Sequence, residues 1–307
     1  MRRLLIIGCG DVALRMVRLV RGRYRIYALT RSTTRIAALR ARGVTPIVGD
    51  LDRPETLDAI AGIAHDVVHF APPPPHGTRD TRTARLAAAL TKGRSLPQRM
   101  VYISTSGVYG DCAGALVAET RPVRPATDRA RRRADAESRL RLWGARTGVH
   151  VAVLRVPGIY AADRLPLARL RGGTPALRLE DDTYINHVHA DDLARMVVAA
   201  LHRSQPNRSY NAVDDAPQRM GDYFDLVADR FGLARPPRIS RAEAAGRLPG
   251  NLLSFMGESR RLVNRRIKNE LRMRLLYPTV DDGLRAAAAD QERMRNARDA
   301  PAPEGAA

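Results

Sequence analysis

Short, unbroken apolar runs alternate with amphipathic segments along the first two thirds of the chain. The runs at 4–7, 25–29, 45–48, 66–70, 100–104 and 151–154 have the length and composition of strands, with later candidates at 185–188 and 210–213. Between them, 12–21, 34–42, 55–61, 79–90, 127–146 and 191–202 carry helix formers with apolar residues three and four apart. A continuous apolar run suits a strand buried on both faces, so this succession predicts a parallel sheet covered on each side by helices. The rhythm breaks after residue 160, where Gly172-Gly173 and several prolines intervene, and helices over 220–231 and 252–271 dominate the remainder. The expected division is one α/β domain over 1–160 and 186–215, and a smaller, mostly helical one over 161–185 and 216–298. Residues 299–307, all Ala, Pro, Glu and Gly after Asp299, have a composition that buries no core and are expected to be a disordered tail.

Composition changes this picture little. The chain has 307 residues with 44% apolar content, ample for a core. Its net charge is 52 − 32 = +20, and Lys92 and Lys268 are the only lysines, so arginine carries almost all of it. The arginines are spread along the chain, which fits a GC-rich bacterial coding bias better than the single basic face of a nucleic-acid binder. The densest group, Arg129 with Arg131 to Arg133, reads as a solvated helix face, a phosphate site, or both. Two cysteines, Cys9 and Cys112, are too few for a disulfide framework or a thiolate metal site, and imply a reducing compartment. The apolar run after Met1 is too short for an export signal, and none approaches the ~20 residues that span a bilayer, so the expected location is cytoplasmic.

The chemistry begins at the first strand's end. Gly8-Cys9-Gly10-Asp11-Val12-Ala13 is a Gly-x-Gly-x-x-Ala turn between a strand and a helix, the context in which backbone N–H groups and the helix N-terminus hold a pyrophosphate. This predicts a Rossmann-type doubly wound sheet that binds a dinucleotide through Gly8, Gly10, Asp11 and Val12. At the end of the second strand stands Arg31, where NAD-binding folds often carry an acid for the ribose hydroxyls, and Arg35 follows one turn later. Arginines suit a 2′-phosphate, which favours NADP over NAD. Asp50, with Leu51, ends the third strand where a carboxylate can accept from an adenine amino group; an ordinary loop-starting Asp is the competing reading. Ala71 and Pro72 open a stiff Pro72–Pro75 stretch that lacks N–H donors and shapes a cleft wall.

Three ordered motifs then extend the pattern: Ile103-Ser104-Thr105-Ser106-Gly107-Val108-Tyr109-Gly110, Leu154-Arg155-Val156-Pro157-Gly158-Ile159-Tyr160 and His187-Val188-His189-Ala190-Asp191-Asp192-Leu193. Together with the glycine loop they resemble the extended short-chain dehydrogenase/reductase superfamily, specifically its NAD-dependent epimerase/dehydratase members. The resemblance implies that Ser104, Pro157 and Ile159 line the cofactor site and that Thr105, or Ser106 next to it, hydrogen-bonds the reacting oxygen. The superfamily's catalytic Tyr-x-x-x-Lys is missing: Arg129 falls at the Tyr position and Arg133 at the Lys position. Arg133 suits holding the ribose, whereas arginine does not act as a base at neutral pH. Tyr109, Tyr160 and Tyr184 lie near the matching loops and are candidate replacements. His187, His189, Asp191 and Asp192 superficially suggest a metal, but match the superfamily's helix start, where an acidic side chain caps free N–H groups; no metal is expected.

The resemblance therefore implies an NAD(P)-dependent oxidoreductase or nucleotide-sugar epimerase/dehydratase-like enzyme, atypical in its catalytic motif. Its small-molecule substrate, a nucleotide sugar or phosphorylated sugar, would sit between the two domains. The alternative is a catalytically silent dinucleotide-binding sensor or scaffold. Partners on a membrane or among nucleic acids are not expected, and a homodimer through the helices at 79–90 and 127–146 is.

Overall fold

The computed structural model describes residues 1–299, without side chains for Asn251, Ser254, Phe255 and residues 294–299. Its centre is a seven-stranded sheet with five strands from the first third of the chain: β1 (Arg2–Ile7), β2 (Tyr24–Thr30), β3 (Val44–Val48), β4 (Asp66–His69) and β5 (Arg99–Thr105). The strands His150–Val156 and Arg208–Asn211 complete it beyond β5. All pair in parallel, with β1 between β2 and β4. Chain direction thus reverses its lateral progress at β1, the switch point at which such sheets open a crevice.

Burial explains the unbroken apolar runs. Leu4, Leu5 and Ile6 are each 0% exposed, yet Leu4 and Ile6 face one core while Leu5 and Ile7 face the other. Each such side chain contributes roughly 1.5–3 kcal/mol on burial. The first core is covered by α1 (Asp11–Val20) and the helix Ala190–Arg203, which pack on each other. The second is covered by α3 (Thr81–Thr91) and α4 (Asp128–Thr147). Between β2 and β3 lies the short α2 (Ile36–Arg40). Pro46, which cannot donate to a ladder, falls in β3 at the sheet's edge.

The remaining chain forms a separate apolar cluster from Tyr160, Leu170, Leu177, Met220, Tyr223, Phe224, Val227, Val280 and Leu284. Its helices include Met220–Arg230, Arg241–Arg247 and Val280–Asp299, with four two-stranded pairings around them. Some expected elements differ. The segment at 55–61 is a 3₁₀ helix over Pro54–Ile60. The strand expected at 185–188 is split at Asn186, whose side chain bonds Arg260 O and Leu262 N at 2.9 and 2.8 Å. The helix expected at 252–271 is Gly250–Met256, a short strand Arg261–Leu262 against Leu116–Val117, and Arg265–Asn269. The last helix is described through Asp299, the first residue of the expected tail, and residues 300–307 lie outside the described residues. Among the described residues no helix is long and apolar enough to cross a membrane.

Candidate functional site

Two cavities meet above the C-terminal ends of the sheet strands. The first, about 600 Å³, lies over the β1/β4 switch point. It gathers Gly8, Gly10, Asp11, Val12, Arg31, Arg35, Asp50, Leu51, Ala71, Pro72, Ser104, Thr105, Arg133, Pro157 and Ile159 from seven separate stretches of chain.

The glycine loop is shaped by close approach. Gly8 has φ +86°, and a Cβ there would lie 2.6 Å from Ala71 N, so β1 and β4 can close on each other only over glycine. At Gly10 nothing lies within 4 Å of where a Cβ would be, which leaves open space before the N-terminus of α1. No side chain caps that terminus, so its first N–H groups form an anion cradle that a Cβ at Gly10 would narrow. The side chain of Asp11 is turned into an ion network with Arg15 at 3.1 Å and Arg164 at 3.5 Å, and Arg15 also reaches Asp191 at 2.7 Å.

Arg35 donates from Nη2 to Cys9 O at 2.6 Å, which fixes its guanidinium beside the glycine loop. Arg31 is exposed and lines the same wall. Asp50 uses Oδ1 to accept Asp52 N at 2.9 Å, the local loop role, while its residue lines the cleft. Arg82, which the sequence did not single out, braces the wall: it pairs with Asp52 at 2.5 Å and donates to Pro72 O and Pro73 O at 3.2 Å.

Thr105 ends β5, and its Oγ1 accepts Gly107 N at 3.2 Å, which leaves its own proton available to an acceptor in the cavity. Arg133 donates from Nη1 to Ile103 O at 2.8 Å and Tyr102 Oη at 3.1 Å, so one edge of the guanidinium is anchored to β5. Beneath the loop, Ser104 donates to Glu137 at 2.6 Å, and Glu137 pairs with Arg155 at 2.8 Å, all three buried. Burial works against the charge of Arg155, but hydrogen bonding and attraction to Glu137 outweigh it and raise its pKa.

The second cavity, about 670 Å³, shares Pro72, Thr105, Arg133, Pro157 and Ile159 with the first. It adds Ser106, Arg129, the rest of the proline stretch, Tyr184, His187, and Met220, Tyr223 and Phe224 from the helical layer. Burial pushes the Arg129 guanidinium below its ordinary value, with Glu258 opposing, and it remains a cation. Of the three candidate tyrosines only Tyr184 lines this cavity. Tyr109 donates to Asn211 Oδ1 at 2.8 Å and Tyr160 to Thr279 O at 3.1 Å, both from buried positions. Burial raises the pKa of both hydroxyls.

The His-Asp motif is structural, in a different way from that expected. The cap of helix Ala190–Arg203 is His189, whose Nδ1 accepts Asp191 N at 3.2 Å. Asp192 instead accepts Leu276 N and Tyr277 N at 2.9 Å and pairs with Arg195 at 2.9 Å. His187 and His189 are buried against aromatic rings, His187 at 4.2 Å from Tyr223 and His189 at 4.0 Å from Tyr277.

A doubly wound sheet with a glycine loop at its switch point and a second cavity beside it defines the extended class of dinucleotide-fold proteins. Within that class, the chain belongs to the NAD dependent epimerase/dehydratase family, whose sequence model matches residues 12–212. Its fold is similar to that of a conserved protein of unknown function from Silicibacter pomeroyi DSS, at 29% identity and TM-score 0.78 over 95% of this chain and 100% of that one. It is also similar to a dTDP-glucose 4,6-dehydratase from Bacillus anthracis str. Ames in complex with NAD, at 16% identity and TM-score 0.77 over 96% and 98%. A UDP-glucose 4-epimerase from Thermotoga maritima with UDP-glucose matches at 16% identity and TM-score 0.76 over 95% and 99%. The last two likenesses concern the fold. A search of curated proteins found no match.

Proposed function

We propose that the chain is an NADP(H)-binding oxidoreductase or epimerase/dehydratase-like enzyme that acts on a phosphorylated or nucleotide-linked sugar where its two cavities meet. The observation that carries this reading is the shared wall: Thr105, Arg133, Pro157 and Ile159 line both cavities, so a ligand in each would touch at those residues. The solved dehydratase and epimerase that share the fold were seen with NAD and with UDP-glucose.

In this reading Gly8, Gly10, Asp11 and Val12 hold the pyrophosphate through backbone N–H groups, and Asp50 and Leu51 border the adenine. Arg31 and Arg35 hold a 2′-phosphate; the carbonyl that fixes Arg35 pre-positions it for this. Ala71, Pro72, Ser104, Pro157 and Ile159 wall the remainder, with Arg133 beside the ribose. When bound, the dinucleotide supplies a hydride donor or acceptor. The Thr105 hydroxyl, with Ser106 next to it, donates to the substrate oxygen on which charge develops. Arg129 stays charged and contributes field rather than proton exchange.

Following nicotinamide absorbance while NADPH and a panel of carbonyl compounds and nucleotide sugars are mixed with the protein tests this directly. Cofactor oxidation, or conversion of a nucleotide sugar, is expected; tight binding with no turnover and unchanged substrates favours a silent sensor or scaffold. That second reading draws on Arg129, which stands where the family places its proton-exchanging tyrosine. The same proposal includes a homodimer through the outer faces of α3 and α4, which light scattering would refute by giving the monomer mass.

A further inference from the structure

The second cavity is lined by five arginines, Arg129, Arg132, Arg133, Arg169 and Arg260, against one carboxylate, Glu258, among the described residues. Guanidinium groups are cations in proteins, so these five face one another as positive charges. Glu258 accepts from Arg260 Nη1 at 2.7 Å through one oxygen, and its other oxygen is buried with no hydrogen-bond partner, so a single carboxylate faces the five guanidiniums. Five cations facing one anion in the same cavity leave a net positive excess, and the cations repel one another.

Their placement makes the excess harder to attribute to composition. Arg129, Arg132 and Arg133 sit within the first two turns of α4, whose N-cap is Thr127. The partial positive charge of a helix N-terminus disfavours cations there. Burial also pushes the pKa of Arg129 and Arg169 down. An anion among them would relieve both effects.

The cavity also has an orientation. A Cβ on Gly107 would lie 3.8 Å from Ala130 Cβ, so the first turn of α4 abuts the loop that carries Thr105. Arg129 and Arg133, four residues apart, share that face of α4, and Arg133 is held in place by β5. The helical layer adds Met220, Tyr223 and Phe224 to the lining, with the Arg169 guanidinium 4.1 Å over the Phe224 ring. Beside Thr105 the lining is cationic and fixed, whereas at Phe224 it is aromatic, with the Arg169 guanidinium stacked on the ring.

We propose that this cavity takes a ring-bearing acid, its phosphate or carboxylate held by Arg129 and Arg133 beside Thr105 and its ring against Met220, Tyr223 and Phe224. The two arginines then act as a charge clamp that orients the substrate at the position where the family exchanges a proton. The assignment of that end as the reacting end rests on the first cavity being the dinucleotide site; the anion preference does not.

Calorimetric titration of the full chain with phenyl phosphate, benzoate and uncharged benzamide, with and without NADPH, tests the proposal. At least one anion is expected to bind about tenfold or more tightly than benzamide. Arg129→Gln should abolish that preference, Glu258→Gln should strengthen it, and Arg35→Ala, in the other cavity, should leave it unchanged. Phenyl phosphate favoured over benzoate identifies the group as phosphate, and the reverse as carboxylate. Arg129 keeps contact with solvent, and a melting curve checks the fold of its variant; Glu258→Gln carries the test independently. No binding of any probe at millimolar concentration, equal affinity for all three, or a preference that survives Arg129→Gln and vanishes in Arg35→Ala overturns the proposal. An anion preference that persists while NADPH fails to bind leaves the clamp standing and removes the dinucleotide reading.

Discussion

Glu137 and Arg155 place a full charge pair under the loop that carries Thr105, each about 3% exposed. The pair also receives the Ser104 hydroxyl, so the end of β5 and the strand His150–Val156 are tied through one carboxylate. Removing one partner of a buried pair leaves the other charge uncompensated, which costs about 3–5 kcal/mol. Glu137→Gln, which keeps shape but not charge, is therefore expected to lower the urea-unfolding free energy by roughly that amount; a change below 1 kcal/mol would contradict the pairing. At this scale the lining of the first cavity was largely legible, because its residues stand in short motifs at strand ends whose spacing is dictated by the βαβ repeat. Arg82 and the second cavity's Arg169 and Arg260 were not. They come from segments without local motif, and in a chain whose cations are nearly all arginine no single one stands out.

The elements that read correctly are those whose burial is two-sided or strongly one-sided. The runs behind β1, β2 and β5 are buried on both faces, and α1 and the helix Ala190–Arg203 bury one stripe each. The region after residue 160 resisted because its structure depends on distant partners. Asn186 breaks an apparent strand to bond residues 260 and 262, and a single apparent helix is interrupted to let Arg261–Leu262 pair with Leu116–Val117. Asp192 shows the same dependence: it was expected as a helix cap and instead holds Leu276 and Tyr277. Asp192→Ala should release that segment, destabilise the fold by about 3 kcal/mol, and speed amide exchange at Leu276 and Tyr277. Unchanged exchange there would show that the carboxylate does not anchor it.

The molecule as a whole carries a pH dependence set by buried histidines. Burial holds His187 at about 4 and His69 at about 3, both from 6.5, with the Arg133 charge adding to the effect on His69. Above pH 6.5 both are neutral in the folded and unfolded chains. As pH falls from there, the unfolded chain takes up protons that the folded one refuses until about 4 and 3, so stability declines through that window and levels off below it. Each contributes up to about 1.4 kcal/mol per pH unit. Asp214 acts in the opposite sense, since burial raises its carboxyl and the folded chain keeps a proton that the unfolded one releases. The histidine contribution is isolated by comparing wild type with His187→Gln in urea at pH 7, 6 and 5: the variant should lose less stability on acidification, and parallel curves would contradict the assignment.

We propose that the cleft over β1 and β4 holds a dinucleotide and that Arg31 and Arg35 select NADP. Calorimetric titration of NADP(H) and NAD(H) into wild type and Arg31→Ala addresses it most directly. Tight NADP(H) binding, about tenfold or more weaker in the variant while NAD(H) affinity changes little, is the expected result. Failure of the wild type to bind either dinucleotide would contradict the account, and the enzymatic reading would fall with it.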